Sequence, residues 1–187
     1  MVSQPRPATH QDLPALRTLW LEFMDHHEVL DPTLTRRRGA DDAWVARIKS
    51  ILNTPDHLLL VCDGPDGLVG YLKATNREYP PIFEEERLGV IQELIVTEAH
   101  RRQGHGRRLY HAAESWFRHH GVTRLEACID TRNQSSRAFW AHLGYVRDTE
   151  TLLKQVPRSS STQQERPAAP PPDAVIWARW AKESRAA

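Results

Sequence analysis

VIQELIVTEAHRRQGHGRRLYHAAESWF, residues 90–117, holds an apolar run, a basic turn bearing two glycines, and a segment with helical spacing. VIQELIV (90–96) reads as a strand. In LYHAAESWF (109–117), Leu109, Ala112, Ala113, Trp116 and Phe117 share one helical face. Between them, RRQGHGRR (101–108) sets four arginines around Gly104 and Gly106. Gly121 ends the helix, and RLEACID (124–130) then alternates Leu125, Ala127 and Ile129 with Glu126, Cys128 and Asp130, a strand pattern. Strand, turn, helix and strand in this order make a candidate βαβ unit with two parallel strands.

The turn has a physical reading. A helix N-terminus offers unsatisfied N–H groups and partial positive charge, and glycines there let a ligand approach the backbone closely. Together they form an anion site of the kind diphosphates occupy. Arg101, Arg102, Arg107 and Arg108 would add positive potential at its rim. The plainer alternative is a solvated basic turn opening an ordinary helix. The stretch is not a P-loop, because no Gly-Lys-Ser/Thr follows, and it lacks the third glycine of the dinucleotide fingerprint.

Outward from this unit, DLPALRTLWLEFM (12–24) places Leu16, Leu19, Trp20, Phe23 and Met24 on one helical face, with Asp12 as N-cap and Pro14 in the first turn. Asp31-Pro32 marks a turn. DDAWVARIKSIL (41–52) is a second amphipathic helix. HLLLVCDG (57–64) and LVGYLKA (68–74), joined at Pro65-Asp66-Gly67, suggest a hairpin, and 76–89 reads as a loop. SSRAFWAHLG (135–144) is a short helix, and 145–156 has room for two short strands. PRSSSTQQERPAAPPPD (157–173) contains five of the thirteen prolines and reads as a disordered linker; 174–187 is either a short helix docking through Ile176, Trp177 and Trp180 or a frayed end.

Composition narrows the class. The 187 residues are 40% hydrophobic and 26% charged, enough for one soluble domain plus a tail. A net charge of +1 gives no general bias toward nucleic acid or an acidic membrane. No apolar run approaches the ~18–20 residues of a membrane span, and the N-terminus lacks an apolar signal region, so a cytoplasmic protein is expected. Cys62 and Cys128 both lie in apolar runs and are expected as buried, reduced thiols. The ten histidines lack paired ligand spacing, so no metal site is expected.

VIQELIVTEAHRRQGHGRRL, taken with DTRNQSSRAFWAHLGY (130–145), resembles the GNAT superfamily of N-acetyltransferases. Arg101, Gly104 and Gly106 occupy the defined places of that family's Arg/Gln-x-x-Gly-x-Gly/Ala motif. Asn133, Phe139-Trp140 and Gly144-Tyr145 match its second motif. The resemblance covers 89–147 in motif and 5–75 in element order. It implies a mixed α/β fold: a central, mostly antiparallel sheet with one parallel, splayed strand pair and helices on both faces. The domain would span 1–156. It also implies acetyl transfer from acetyl-CoA, as co-substrate, directly to a primary amine, small-molecule or protein, without a covalent enzyme intermediate; a homodimer is possible.

The resemblance assigns roles residue by residue. Arg101, Arg102, Gln103, Gly104, His105, Gly106 and Arg107 would wrap the pyrophosphate. Leu94, Ile95 and Val96 would run alongside the pantetheine arm, and an N–H freed at a bulge, that of Val96 or Leu94, would face the thioester carbonyl as an oxyanion donor. Asn133 would contact the cofactor, with Arg137 one turn on as a helper. Trp140 stands where many members carry the tyrosine that reprotonates the thiolate; an indole N–H is no acid, so it is left to pack against pantetheine or in the core.

The attacking amine needs a proton acceptor, since freeing a lysine-like amine at pH 7 costs roughly 4–5 kcal/mol. Glu93 is the first candidate base, with a structural strand glutamate as its alternative; Glu126 is the second. Cys128 is not expected to act. MDHHEVLD (24–31) offers Asp25, His26, Glu28 and Asp31 to a cationic amine, unless it is a solvated loop. Tyr79 and Glu84 to Glu86 could line the acceptor side. Two rivals stand beside the enzyme: a CoA-binding regulatory module without transferase activity, and an interaction role carried by the tail.

Overall fold

In the computed structural model, described for residues 4–79, 82, 84 and 87–154, the chain forms two compact units, one within Met1–Cys128 and one within Ile129–Pro170. The segments 157–173 and 174–187, with Trp177 and Trp180, lie outside the described residues, as do Glu85 and Glu86.

The first unit carries a five-stranded sheet: β1 (Arg6–Pro7), β2 (His57–Gly64), β3 (Gly67–Glu78), β4 (Arg87–Val96) and β5 (Arg124–Ala127), in that spatial order. All neighbours are antiparallel except β4 and β5, which are parallel. Helices α1 (Leu13–Leu30), α2 (Ala40–Ile51) and α3 (His105–His119) complete it. The mixed fold, with its single parallel pair, matches the expectation.

α1 and α2 cover one face. Leu16, Leu19 and Trp20 of α1 and Trp44 and Ile48 of α2 are buried against Leu59, Val61, Tyr71 and Ile95 of the sheet. The Trp20 and Trp44 rings stack at 5.4 Å, and Trp44 meets Tyr71 at 6.0 Å. Aromatic anchors of this kind are worth ~3–5 kcal/mol each when truncated in a core. α3 covers the opposite face through Leu109, Tyr110, Ala113 and Phe117, with Tyr110 more buried than the expected Trp116. The ring of Phe117 lies over Gly89, where an added Cβ would come within 2.7 Å of it.

Several boundaries differ from expectation. α1 runs on to Leu30, so MDHHEVL is helix and not loop. Asp12 holds the N-cap position but makes no side-chain cap bond. Its carboxylate instead accepts from Thr9 N–H at 2.7 Å and from the Arg6 guanidinium, which also grips Asp63. That pairing ties down β1, a strand too short for a periodic signal. β3 and β4 extend through 76–78 and 87–89, read from sequence as loop, because their ladder continues to Glu78–Arg87. β5 stops at Ala127, leaving Cys128 exposed while Cys62 is buried as expected. No helix among the described residues is long and apolar enough to cross a membrane.

In the second unit, α4 (Gln134–His142) ends at Gly144, which is left-handed at φ 87°. Residues 145–154 form no strand, contrary to expectation.

Candidate active site

β4 and β5 pair only from Leu88–Arg124 to Ile91–Ala127, and β4 then runs on to Val96 with that edge free of β5. The register against β3 slips at the same place. Ala74 faces Ile91, whereas Lys73 faces Glu93, so Gln92 is the extra residue of a β-bulge. Thr97 N–H donates to Val69 O at 2.9 Å. Backbone groups alternate sides along an antiparallel strand, so those of Ile95 and Glu93 face β3 and those of Leu94 and Val96 face the open edge. In agreement, Val96 O turns away from β3 and accepts from Arg101 Nε at 3.1 Å.

The open edge leads into the glycine-bearing turn. Gly104, at φ 82°, is the N-cap of α3, and Arg102 is also left-handed, at φ 62°. Arg108 N–H closes the first helical bond on Gly104 O, at 3.0 Å. The N–H groups of His105, Gly106 and Arg107 precede it and have no intrahelical acceptor. Arg102, Gln103 and Gly104 are exposed, so the cradle is open to a ligand. This backbone fits a diphosphate.

The arginines divide. Arg101 braces Val96 O and approaches Glu22 of α1 at 3.7 Å, and Arg108 donates to Gln103 O, so these two support the loop. Arg107 donates to His111 across one turn. His105 is buried, and burial first, then Arg108 and His100, push its imidazole below its usual value, so it stays neutral at pH 7 and adds no charge to the cradle.

Across the sheet, on the α1/α2 face, Glu93 is gripped by three donors. Lys73 Nζ pairs with Oε1, Trp44 Nε1 reaches the same oxygen at 3.5 Å, and Tyr71 OH donates to Oε2 at 2.6 Å. The side chains of Lys73 and Glu93 are 4% and 12% exposed. Burial, the Glu93 charge and the bond to Glu93 raise the Tyr71 phenol well above its ordinary value, so it remains a donor. Sequence reasoning missed Lys73 and Tyr71. The available signal was a lysine at the same strand parity as Tyr71 within an apolar run. Glu126, the second candidate, sits between Arg77 at 4.0 Å and Arg124 at 3.6 Å.

The acidic patch at the end of α1 is largely paired. Arg36 binds both Asp25 and Glu28, and Asp31 accepts from Thr33 N–H and hydroxyl. In the second unit, Asn133 caps α4 by accepting from Ser136 N–H at 2.9 Å. Arg137 donates to Thr131 O, and Trp140 packs edge-on against Phe139 and Tyr145. No group of residues able to hold a metal ion occurs among the described residues.

Comparison with known proteins agrees with this geometry. Over 134 residues the chain is 27% identical to an aminoglycoside N(6')-acetyltransferase type 1 of Serratia marcescens, covering 68% of this chain and 91% of that protein. The fold matches the BH1408 protein of Bacillus halodurans with a TM-score of 0.74 at 21% identity, over 81% of this chain and 99% of the other. It also matches AAC(6')-Iy, solved with a CoA-S-monomethyl-acetylneamine bisubstrate analogue, with a TM-score of 0.61 at 19% identity, over 83% and 97% of the two chains. The model of the acetyltransferase (GNAT) family matches residues 15–145, across both units. With a bulged, splayed β4 running into a glycine-opened helix and a family match over most of its length, the chain belongs to the acetyltransferase (GNAT) family and is an acyltransferase.

Proposed function

We propose that this protein transfers the acetyl group of acetyl-CoA directly to a primary amine of a small molecule. The observation that carries the reading is the coincidence of three features on one strand: the bulge at Gln92, the end of β5 pairing at Ile91, and the run of β4 into the open N-terminus of α3. The backbone from Arg101 to Arg107 would hold the pyrophosphate. Leu94, Ile95 and Val96 would run beside the pantetheine, with the N–H of Leu94 or Val96 stabilising the oxyanion. Glu93 would accept the amine proton, and the thiol would leave as thiolate or take a proton from water. Asn133 is proposed as a cofactor contact on the family resemblance alone. The acetyltransferase from Serratia and AAC(6')-Iy support a small-molecule amine, and aminoglycosides head the acceptors to try.

The test is a melting scan with and without acetyl-CoA, followed by CoA release over a panel of aminoglycosides, polyamines, amino acids and peptide amines. Ligand at 100 times its dissociation constant adds roughly 2.7 kcal/mol, a shift of roughly 5–10 °C here. A shift followed by amine-dependent CoA release supports the reading; no shift at millimolar acetyl-CoA defeats it. The second reading, a CoA-binding module without turnover, rests on Trp140 standing where the family's tyrosine acid is common. Binding without release over the whole panel would favour it.

A further inference from the structure

We infer that Lys73 and Tyr71 are positioning residues for acetyl transfer, holding Glu93 so that its Oε2 takes the proton of the acceptor amine. The inference rests on the proposed role of Glu93 and adds two residues that the family motifs do not contain.

Without the extra residue at Gln92, the register Ala74–Ile91 would continue to Lys73–Gln92, and Gln92 would face Lys73. The bulge moves every later residue by one, so Glu93 and Ile95 share the α1/α2 face with Lys73 and Tyr71. The irregularity that frees the edge of β4 therefore also delivers a carboxylate to the α1/α2 face. A carboxylate there needs donors, because burying an unpaired charge is costly. Lys73 meets that need as a 3%-exposed lysine.

The donors are unevenly shared. Each carboxylate oxygen offers about two lone-pair sites. Oε1 is filled by Lys73 Nζ and the Trp44 indole. Among the described residues Oε2 accepts from Tyr71 alone, at 2.6 Å, which leaves one site for the amine N–H. Tyr71 is wholly buried, and its raised phenol does not release its proton near neutral pH. Among the described residues, the charged and titratable groups facing the carboxylate are thus Lys73 and Tyr71 on β3, with Trp44 the partner from α2. In the step itself, the acceptor ammonium passes one proton to Oε2, the freed nitrogen lone pair forms the C–N bond, the C–S bond breaks with its electron pair leaving on the CoA sulfur, and the second N–H proton goes to that sulfur or to water.

The experiment compares K73M, K73R, Y71F and E93Q with the unsubstituted protein, measuring kcat, KM for both substrates and the melting shift with acetyl-CoA. Loss of Lys73 is expected to lower kcat about 10- to 100-fold while KM for acetyl-CoA stays within about twofold. K73R, which keeps the charge, recovers part of the rate. Y71F, which leaves the ring packing in place, lowers kcat without moving KM for acetyl-CoA and serves if K73M does not fold. Unchanged kcat in Y71F and K73M, or in Y71F alone if K73M does not fold, overturns the inference while E93Q remains inactive. Full activity in E93Q overturns the role of Glu93 itself.

Discussion

Lys73 stands directly opposite Glu93 across the β3–β4 pairing, and their side chains form an ion pair shielded from solvent on the α1/α2 face of the sheet. A pair this buried is costly to break and cheap to replace as a unit, since one partner left alone keeps an uncompensated charge.

The single variant K73M should therefore lose about 3–5 kcal/mol of stability, and the double variant K73M/E93M should regain most of it. Urea denaturation of the four proteins in the cycle measures this. Additive losses would mean that the two side chains do not act as a pair.

Gly104 is left-handed, and a Cβ there would lie 2.9 Å from Arg108 Nη1. Gly104→Val should cost about 1–2 kcal/mol through the backbone alone. It should also abolish the melting shift with acetyl-CoA, while Arg107→Gln should retain part of it. Retention of the full shift in Gly104→Val would remove the pyrophosphate cradle from this turn.

Gly89 presents a different constraint. Its added Cβ would meet the fully buried Phe117 ring at 2.7 Å and Leu125 Cδ2 at 2.5 Å. Gly89→Ala should destabilise by about 1–3 kcal/mol through overpacking between α3 and the parallel strand pair. Trimming Phe117 to Leu in the same chain should recover part of that loss in thermal melts.

The Arg6 guanidinium, through its hydrogen bonds, holds the Asp12 carboxyl down to about 2. A depressed carboxyl contributes stability above its unfolded value, and that contribution is lost as pH falls through the folded value. The protein should lose on the order of 1–2 kcal/mol between about pH 4 and pH 2 from this group. In Arg6→Gln that part of the acid dependence should vanish, which denaturation series at pH 2, 3, 4 and 7 would detect.

The helices and the turn at 101–108 were legible because their signals are local. Three- and four-residue apolar spacing marks α1, α2 and α3, and two glycines at the head of a helical face mark the turn that opens α3. The long β3–β4 ladder was less legible, because Pro80, Pro81 and a charged run interrupt the apolar pattern although pairing continues to Glu78 and Arg87. Asp25 and Glu28 read as open acidic groups, since nothing local to MDHHEVLD announces that Arg36 will bind both.

The amino-acid sequence by itself determined the mixed α/β class, the strand–turn–helix unit with its glycines, and the family to which the motifs point. These depend on periodicity and on residues close together in the chain. Only the tertiary structure decided which side of β4 each residue faces. A strand's side-chain period is two, so one bulged residue reverses every later assignment, and no periodic signal in VIQELIV locates that residue. The slip at Gln92 brought Glu93 to Lys73 and Tyr71 and left the backbone of Leu94 and Val96 facing an open edge, because pairing partners twenty residues apart set the register.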